Sequence, residues 1–120
     1  MTLPISVFII TLNEEHNLKR LLPSLSHFNE IIVVDSGSHD KSVEIAKSFG
    51  AKVTFNPWPG YAKQKQFAME LCKNDWVLNL DADELIPEEL IPLIKNTINN
   101  QQYHSAKFNR CDYFLGKAMP

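Results

Sequence analysis

Trp76-Val77-Leu78-Asn79-Leu80-Asp81-Ala82-Asp83-Glu84 is a short apolar run that ends in two carboxylates one residue apart. In a β-strand, residues i and i+2 lie on the same side. With Val77–Leu80 as a buried strand, Asp81 and Asp83 leave its carboxyl end as a convergent pair of oxygen ligands. Hard carboxylate ligands with open positions suit Mg²⁺ or Mn²⁺, which keep waters and take their remaining ligands from phosphates. Open α/β sheets bind ligands outside the carboxyl ends of their strands. The stretch therefore predicts an α/β fold with a metal–diphosphate site.

The flanking sequence alternates strand and helix signals. Ile5–Thr11 is apolar and β-branched and reads as a buried strand. Asn13 is placed to cap the next helix, with Glu14 and Glu15 in its first turn and Leu18, Leu21, Leu22 and Leu25 on one face. Pro23 should kink that helix or end it early. Ile31–Val34 is a second buried strand, followed by Asp35-Ser36-Gly37-Ser38. Ser38 or Asp40 can cap a helix carrying Val43, Ile45, Ala46 and Phe49, and Gly50 stands where a C′ glycine belongs. Lys52–Phe55 reads as a third strand and Tyr61–Cys72 as a helix. Pro87 opens a further helix with Leu90, Ile94 and Ile98 inward, and His104–Asn109 reads as a fifth strand. The ending, Asp112 to Pro120, carries no helix or strand signal and reads as a chain stopped in mid-sheet. Strands joined by helices imply right-handed crossovers and a mostly parallel sheet with helices on both faces.

At 120 residues the chain makes at most one modest domain. A net charge of −2 argues against a nucleic-acid binder, and no run is long enough to span a membrane. The two cysteines, Cys72 and Cys111, form no metal-spacing motif and read as free thiols of a cytosolic protein. The four histidines share no ligand spacing, and His39 reads as a loop residue. Trp58 and Trp76 read as packing residues rather than sugar platforms, while the loop position of Trp58 allows it to be exposed.

Three polar clusters fall at successive strand ends: Thr11-Leu12-Asn13-Glu14, Asp35-Ser36-Gly37-Ser38 and Asp81-Ala82-Asp83-Glu84. One alone would be an ordinary turn. Three at the ends of buried strands converge on one edge and define a site. Asp35 can accept hydrogen bonds from a base N–H or a ribose hydroxyl. Lys63 and Lys65 precede the acidic strand, where a lysine reaches a diphosphate or lies on a solvated helix face; two apart, they do not share one side of a helix.

These residues resemble the family-2 glycosyltransferases of the GT-A fold. The resemblance runs through Ile9-Ile10-Thr11-Leu12-Asn13-Glu14-Glu15, Val33-Val34-Asp35-Ser36-Gly37-Ser38 and the D-x-D motif Leu80-Asp81-Ala82-Asp83-Glu84. Gly60-Tyr61-Ala62-Lys63-Gln64-Lys65-Gln66 looks like the variant in bacterial lipopolysaccharide-core glucosyltransferases. The resemblance implies a Rossmann-like, nucleotide-sugar-binding N-terminal half over residues 1–120. It implies an inverting, metal-dependent hexosyl transfer from a nucleoside diphosphate sugar, chiefly UDP-linked, to a lipopolysaccharide-core or related glycan. Carried over by position, Thr11, Asn13 and Glu14 border the nucleotide and Asp35 meets the uracil or ribose. Lys65 stands where many members have an arginine on the nucleotide. Asp81 lies by the ribose or metal, and Asp83 is the principal ligand of Mg²⁺ or Mn²⁺. His39 and Ser42 stand where threonines are common. The family's general base lies beyond Pro120, and Asp112 has no support as a substitute. A cytoplasmic enzyme at the inner face of a bacterial membrane follows, with peripheral membrane contact in the full enzyme. An isolated chain would expose residues His104–Met119 as an open edge and self-associate.

Two other readings compete. Phosphatases of the haloacid dehalogenase type use an aspartate nucleophile in an apolar D-x-D strand. There the motif opens the fold and Thr or Val follows, whereas here it is on the fourth strand and Leu85 follows. An inactive nucleotide-sugar-binding module lacking its base is the non-enzymatic alternative.

Overall fold

The computed structural model describes residues 2–99, together with the backbone of 105–108 and 113–117. Four strands and four helices alternate through the first 99 residues: β1 (Leu3–Thr11), α1 (Glu15–Leu21), β2 (Phe28–Asp35), α2 (Ser42–Ser48), β3 (Lys52–Phe55), α3 (Tyr61–Glu70), β4 (Trp76–Asp81) and α4 (Leu90–Asn99). Strands β5 (Ser105–Phe108) and β6 (Tyr113–Lys117) follow. One six-stranded sheet runs in the order β3-β2-β1-β4-β6-β5. Its first four strands are parallel, and β6 pairs antiparallel with both β4 and β5.

The order decides where a ligand can sit. From β1 the chain moves outward to β2 and β3, then crosses back to lay β4 on the other side of β1. Such a reversal opens a crevice at the carboxyl ends of the two central strands. Register fixes its lining: Thr11 sits opposite Asp35, and Ile10 opposite Asp81.

Alternation in the parallel strands feeds two cores. Ile5, Val7, Ile9, Val33, Leu78 and Leu80 face α1, α2 and α4, meeting Leu18, Leu21, Ala46, Leu90 and Ile94. Phe8, Ile32, Val34 and Val77 face Ala68 of α3. Each fully buried Leu or Ile contributes roughly 1.5–3 kcal/mol, so the thicker layer on the first face anchors the sheet. Helices therefore cover both faces, as the sequence pattern predicts.

Local starts and stops follow from single residues. Helix α1 ends at Leu21, and Leu22–Leu25 continue as a tighter 3₁₀ turn, because Pro23 lacks the N–H an α-helix would need there. Gly50, at φ 86°, closes α2: its N–H and that of Ala51 turn back onto the carbonyls of Lys47 and Ala46. Phe49, expected on the inward face, lies at the helix end and is 45% exposed.

Three expectations are corrected. The helix expected at Pro87 begins at Leu90; Pro87 opens the turn before it, its carbonyl accepting the Leu90 N–H. Pro92 then falls in the first helical turn, where no N–H is required. Tyr113–Lys117, expected to carry no strand signal, form β6, paired on both sides. The backbone of β6 is thus internal to the sheet, and the edge strands are β3 and β5. The fifth strand lies beyond β6, at the edge of the sheet.

At the amino ends of the strands lies a buried polar knot. The Glu30 carboxylate accepts bonds from Ser6 Oγ (2.6 Å), Lys52 Nζ (2.7 Å) and the Lys73 N–H (2.7 Å). Burial opposes its charge, but Lys52, Ser6 and the Lys73 N–H outweigh that and hold its pKa below the ordinary 4.5. Cys72 is a free thiol, and burial, then the Glu30 charge, push it up to about 12. Cys111, Asp112 and His104 lie outside the described residues. No helix among the described residues is long and apolar enough to cross a membrane.

Candidate donor-binding site

Asp35 ends β2 buried, 3% exposed. Oδ1 accepts the hydroxyls of Thr11 (2.9 Å) and Ser38, and Oδ2 accepts the N–H groups of Gly37 (3.0 Å) and Ser38 (2.8 Å). A carboxylate offers about four acceptor directions, so these four donors fill it. Burial raises its pKa, but Ser38, Gly37 and Thr11 outweigh the burial and hold it below the ordinary 3.8. Gly37 takes φ 116°, which brings its N–H under the carboxylate at little steric cost.

The loops after β1 and β2 are stitched together above Asp35. Five bonds cross between them: Asn13 N–H to Ser38 Oγ, Glu14 N–H to Ser42 Oγ, Glu15 N–H to Asp40, His39 N–H to Asn13 Oδ1, and Lys41 N–H to Glu15. Asn13 is thus not the helix cap. It sits at φ 55°, a left-handed conformation that Asn tolerates, and its side chain reaches His39 instead. Glu14 occupies the N-cap position without a side-chain bond to the helix. Of the two expected caps for α2, Asp40 takes the Ser42 N–H, while Ser38 is turned to Asp35. Ser42, buried, donates to Asp40 and accepts from Glu14, so its hydroxyl serves both loops.

The acidic loop after β4 is different. The strand ends at Asp81, and Ala82-Asp83 form a turn closed by the Glu84 N–H on the Asp81 carbonyl at 3.0 Å. Strand alternation therefore does not carry Asp83; the turn does. The Asp81 N–H donates to Glu84 Oε1 at 2.8 Å. Both aspartates are exposed, and among the described residues neither carboxylate accepts a hydrogen bond or ion pair. Both line one cavity of about 290 Å³ with Ile10, Glu14, Asn17 and Tyr61.

A second cavity of about 440 Å³ adjoins it, walled by Thr11, Leu12, Ser36, Trp58 and Tyr61. Ile10, Glu14 and Tyr61 line both, so the two spaces form one trough over the carboxyl ends of β1, β2 and β4. Glu14 is half-buried there, its Oε2 accepting from Asn17 at 2.7 Å.

Of the residues singled out from sequence, Thr11, Glu14, Asp81 and Asp83 line the trough. Asp35 lines neither cavity, but its register partner Thr11 and its chain neighbour Ser36 line the larger one. Asn13 and Lys65 line neither cavity; Lys65 is half-buried on α3, with no acidic partner among the described residues. Sequence reading missed two features. Trp58, read as packing but allowed exposure by its loop, is 50% exposed on the trough wall. Gln64, fully buried, clamps α3 to Asn56 through bonds of 2.7 and 3.1 Å. A polar residue at the mid-face of an amphipathic helix was the available signal for Gln64.

The donor set fits a hard divalent cation. Two unpaired carboxylates offer oxygen ligands and leave positions open for water and phosphate. Among the described residues no third His, Cys, Asp or Glu completes a closed protein site. A parallel half-sheet with a reversal at its centre, a stitched loop pair and an open acidic turn define an α/β domain with an open crevice at its switch point.

Comparison with known proteins narrows that class. Residues 6–117 match the family described as glycosyl transferase family 2, and the chain belongs to that family. An uncharacterized glycosyltransferase of Rickettsia bellii is 54% identical over 91 residues, covering 75% of this chain and 31% of the relative. The lipopolysaccharide core biosynthesis glycosyltransferase LpsC of Rhizobium meliloti is 43% identical over 97 residues, covering 77% of this chain and 36% of LpsC. Glucosyl-3-phosphoglycerate synthase from Mycobacterium tuberculosis, crystallised with Mn²⁺, UDP and glucosyl-3-phosphoglycerate, superposes with a TM-score of 0.71 at 28% identity. That alignment covers 86% of this chain and 42% of the synthase. The fold is thus the GT-A glycosyltransferase fold, and the chain spans about a third of the length of the curated relatives it matches.

Proposed function

We propose that this chain is the donor-binding part of a metal-dependent, inverting glycosyltransferase using a UDP-sugar and a lipopolysaccharide-core or related glycan acceptor. The observation that carries the reading is the Asp81/Asp83 pair, without a side-chain partner among the described residues, in a trough shared with Glu14. The UDP and Mn²⁺ named for the M. tuberculosis synthase support donor and metal, and the resemblance to LpsC supports the acceptor class.

Asp83, with Asp81, would hold Mg²⁺ or Mn²⁺, which when bound neutralises the charge developing on the departing diphosphate. Thr11 and Glu14 border the nucleotide. Asp35 meets a base N–H or ribose hydroxyl only when the Ser38 or Thr11 hydroxyl rotates away, since its acceptor directions are otherwise filled. Lys65 lies outside the trough walls, so its expected contact with the nucleotide has no support from the cavity lining. Inside the trough the ionisable side chains are Glu14, Tyr61, Asp81 and Asp83 among the described residues. The general base is assigned, on the family resemblance, to a segment beyond Pro120.

Calorimetric titration with UDP, with Mn²⁺ and with EDTA, tests the binding reading. Metal-dependent binding is expected, and UDP binding indifferent to EDTA overturns the metal role. The missing base favours a second reading, a binding module without turnover. Incubation with UDP-sugars and core acceptors separates the two: sugar transfer by the chain alone overturns the placement of the base.

A further inference from the structure

Three large apolar side chains stand exposed on the wall of the 440 Å³ cavity: Leu12 at 52%, Trp58 at 50% and Tyr61 at 69%. Exposed aromatics grouped around one hollow mark a contact surface more often than a packing fault. Trp58 and Tyr61 form an edge-to-face pair, ring centroids 4.9 Å apart and planes at 87°. That geometry braces each ring while leaving at least one flat face uncovered. Their loop is short and held at both ends. The Asn56 N–H donates to the Asp35 carbonyl, Asn56 and Gln64 are clamped to each other, Pro57 and Pro59 restrict the backbone, and Gly60 turns at φ 106°.

The position within the trough says which part of a ligand meets the pair. Asp81 and Asp83 line only the smaller cavity, so diphosphate and metal belong there. The larger cavity lies on the side of Thr11 and Ser36, at the ends of β1 and β2, and receives the nucleoside end. We propose that Trp58 and Tyr61 are the stacking platform for the donor's nucleobase, with Leu12 and Ile10 closing the apolar slot. This rests on the donor-binding reading above and adds residues from the β3–α3 loop to it. Stacking tolerates any planar base, so the pair supplies affinity for the nucleoside rather than choice among bases.

The test compares UDP with inorganic pyrophosphate, each with Mg²⁺, by calorimetry on the protein, on Trp58→Ala/Tyr61→Ala and on Trp58→Phe/Tyr61→Phe. The alanine variant should bind UDP about tenfold or more weakly and pyrophosphate within about twofold of the parent, and the phenylalanine variant should recover most of the loss. In a Trp76→Phe background Trp58 is the remaining tryptophan. UDP should then change its emission and pyrophosphate should not. Unaltered UDP affinity in the alanine variant overturns the platform while leaving the donor site standing. Loss of pyrophosphate binding too assigns the rings to holding the loop and overturns the platform as well. A parent protein that binds pyrophosphate but gains nothing from the uridine overturns both the platform and the donor-binding reading.

Discussion

Asp35 and Asp81 end the two strands that flank β1, and both carboxylates were read from sequence as ligand-facing. The structure treats them in opposite ways. Asp35 is buried and holds four donors from its own chain, while Asp81 and its neighbour Asp83 stand exposed with no partner among the described residues. One carboxylate has its acceptor capacity filled by the fold and gives shape to a loop. The other two keep theirs open among the described residues, ready for a cation or donor. Stability and binding are therefore divided between neighbouring strand ends, and the division can be measured.

The largest effect should come from the open side. Asp83→Ala is expected to lower metal-supported sugar transfer by the full-length enzyme about 10²–10³-fold. Its unfolding free energy should stay within about 0.5 kcal/mol of the parent, because an exposed side chain without bonds is lost. Steady-state transfer assays beside urea unfolding read both numbers. A stability loss larger than that would mean the acidic turn depends on Asp83, and the contrast with Asp35 would break.

Asp35→Ala should show the reverse balance. Removing the carboxylate strands the Gly37 and Ser38 N–H groups and the Thr11 hydroxyl, in a site 3% exposed. A cost of about 2–4 kcal/mol is expected, as for a buried charged acceptor with several donors. Urea unfolding measures it. A loss below about 1 kcal/mol would mean that water satisfies those donors and that the loop does not need its aspartate.

Acid should act on the filled carboxylates first. Asp35 and Glu30 both have folded pKa values below their ordinary 3.8 and 4.5. Their contribution is therefore fully present above those values and is lost as pH falls through them towards the depressed folded values. Stability followed from pH 6 to pH 3 should fall most steeply below about 4.5, and Asp35→Ala should flatten part of that slope. A slope left unchanged by Asp35→Ala would mean that its carboxylate carries none of the acid loss.

The two regions also differ in what their sequences disclose. Strand ends such as Val33-Val34-Asp35 and Leu80-Asp81 are legible because burial on both faces writes continuous apolar runs, and the first polar residue marks the edge. The alternation of strand and helix then places both at one side of the sheet. What each carboxylate does there depends on partners 24 residues away in the chain or three residues on, such as Thr11 and Ser38. Local pattern does not encode a contact with Thr11. Asn13 shows the same limit: its type suits a cap, but the neighbouring loop supplies His39 N–H and wins the side chain. Strand β6 was hidden because Tyr113-Phe114-Leu115-Gly116-Lys117 has no alternation to set it apart from a loop, and its pairing with β4 is a non-local gain. The loop position of Trp58 allowed exposure, and the structure shows it 50% exposed; what the sequence left open was the hollow beside it.

The smallest effect is the one that tests whether the filled carboxylate can still be borrowed by a ligand. Ser38→Ala removes one of the four donors to Asp35 while leaving the Ser38 N–H in place. It also removes the acceptor of the Asn13 N–H, a group exposed enough for water to take over. The expected cost is about 1 kcal/mol in urea unfolding, a single hydrogen bond to a charged group offset by hydration. Asp35 then has one vacant acceptor direction. If a base N–H competes for Asp35, the variant should hold UDP as tightly as the parent or more tightly, because the exchange no longer displaces a hydroxyl. If UDP affinity falls several-fold instead, the Ser38 hydroxyl itself touches the nucleotide or orders its wall. Asp35 would then serve the donor only through the shape of its loop, and the division between a filled and an open carboxylate would hold in the bound state as well as the free one.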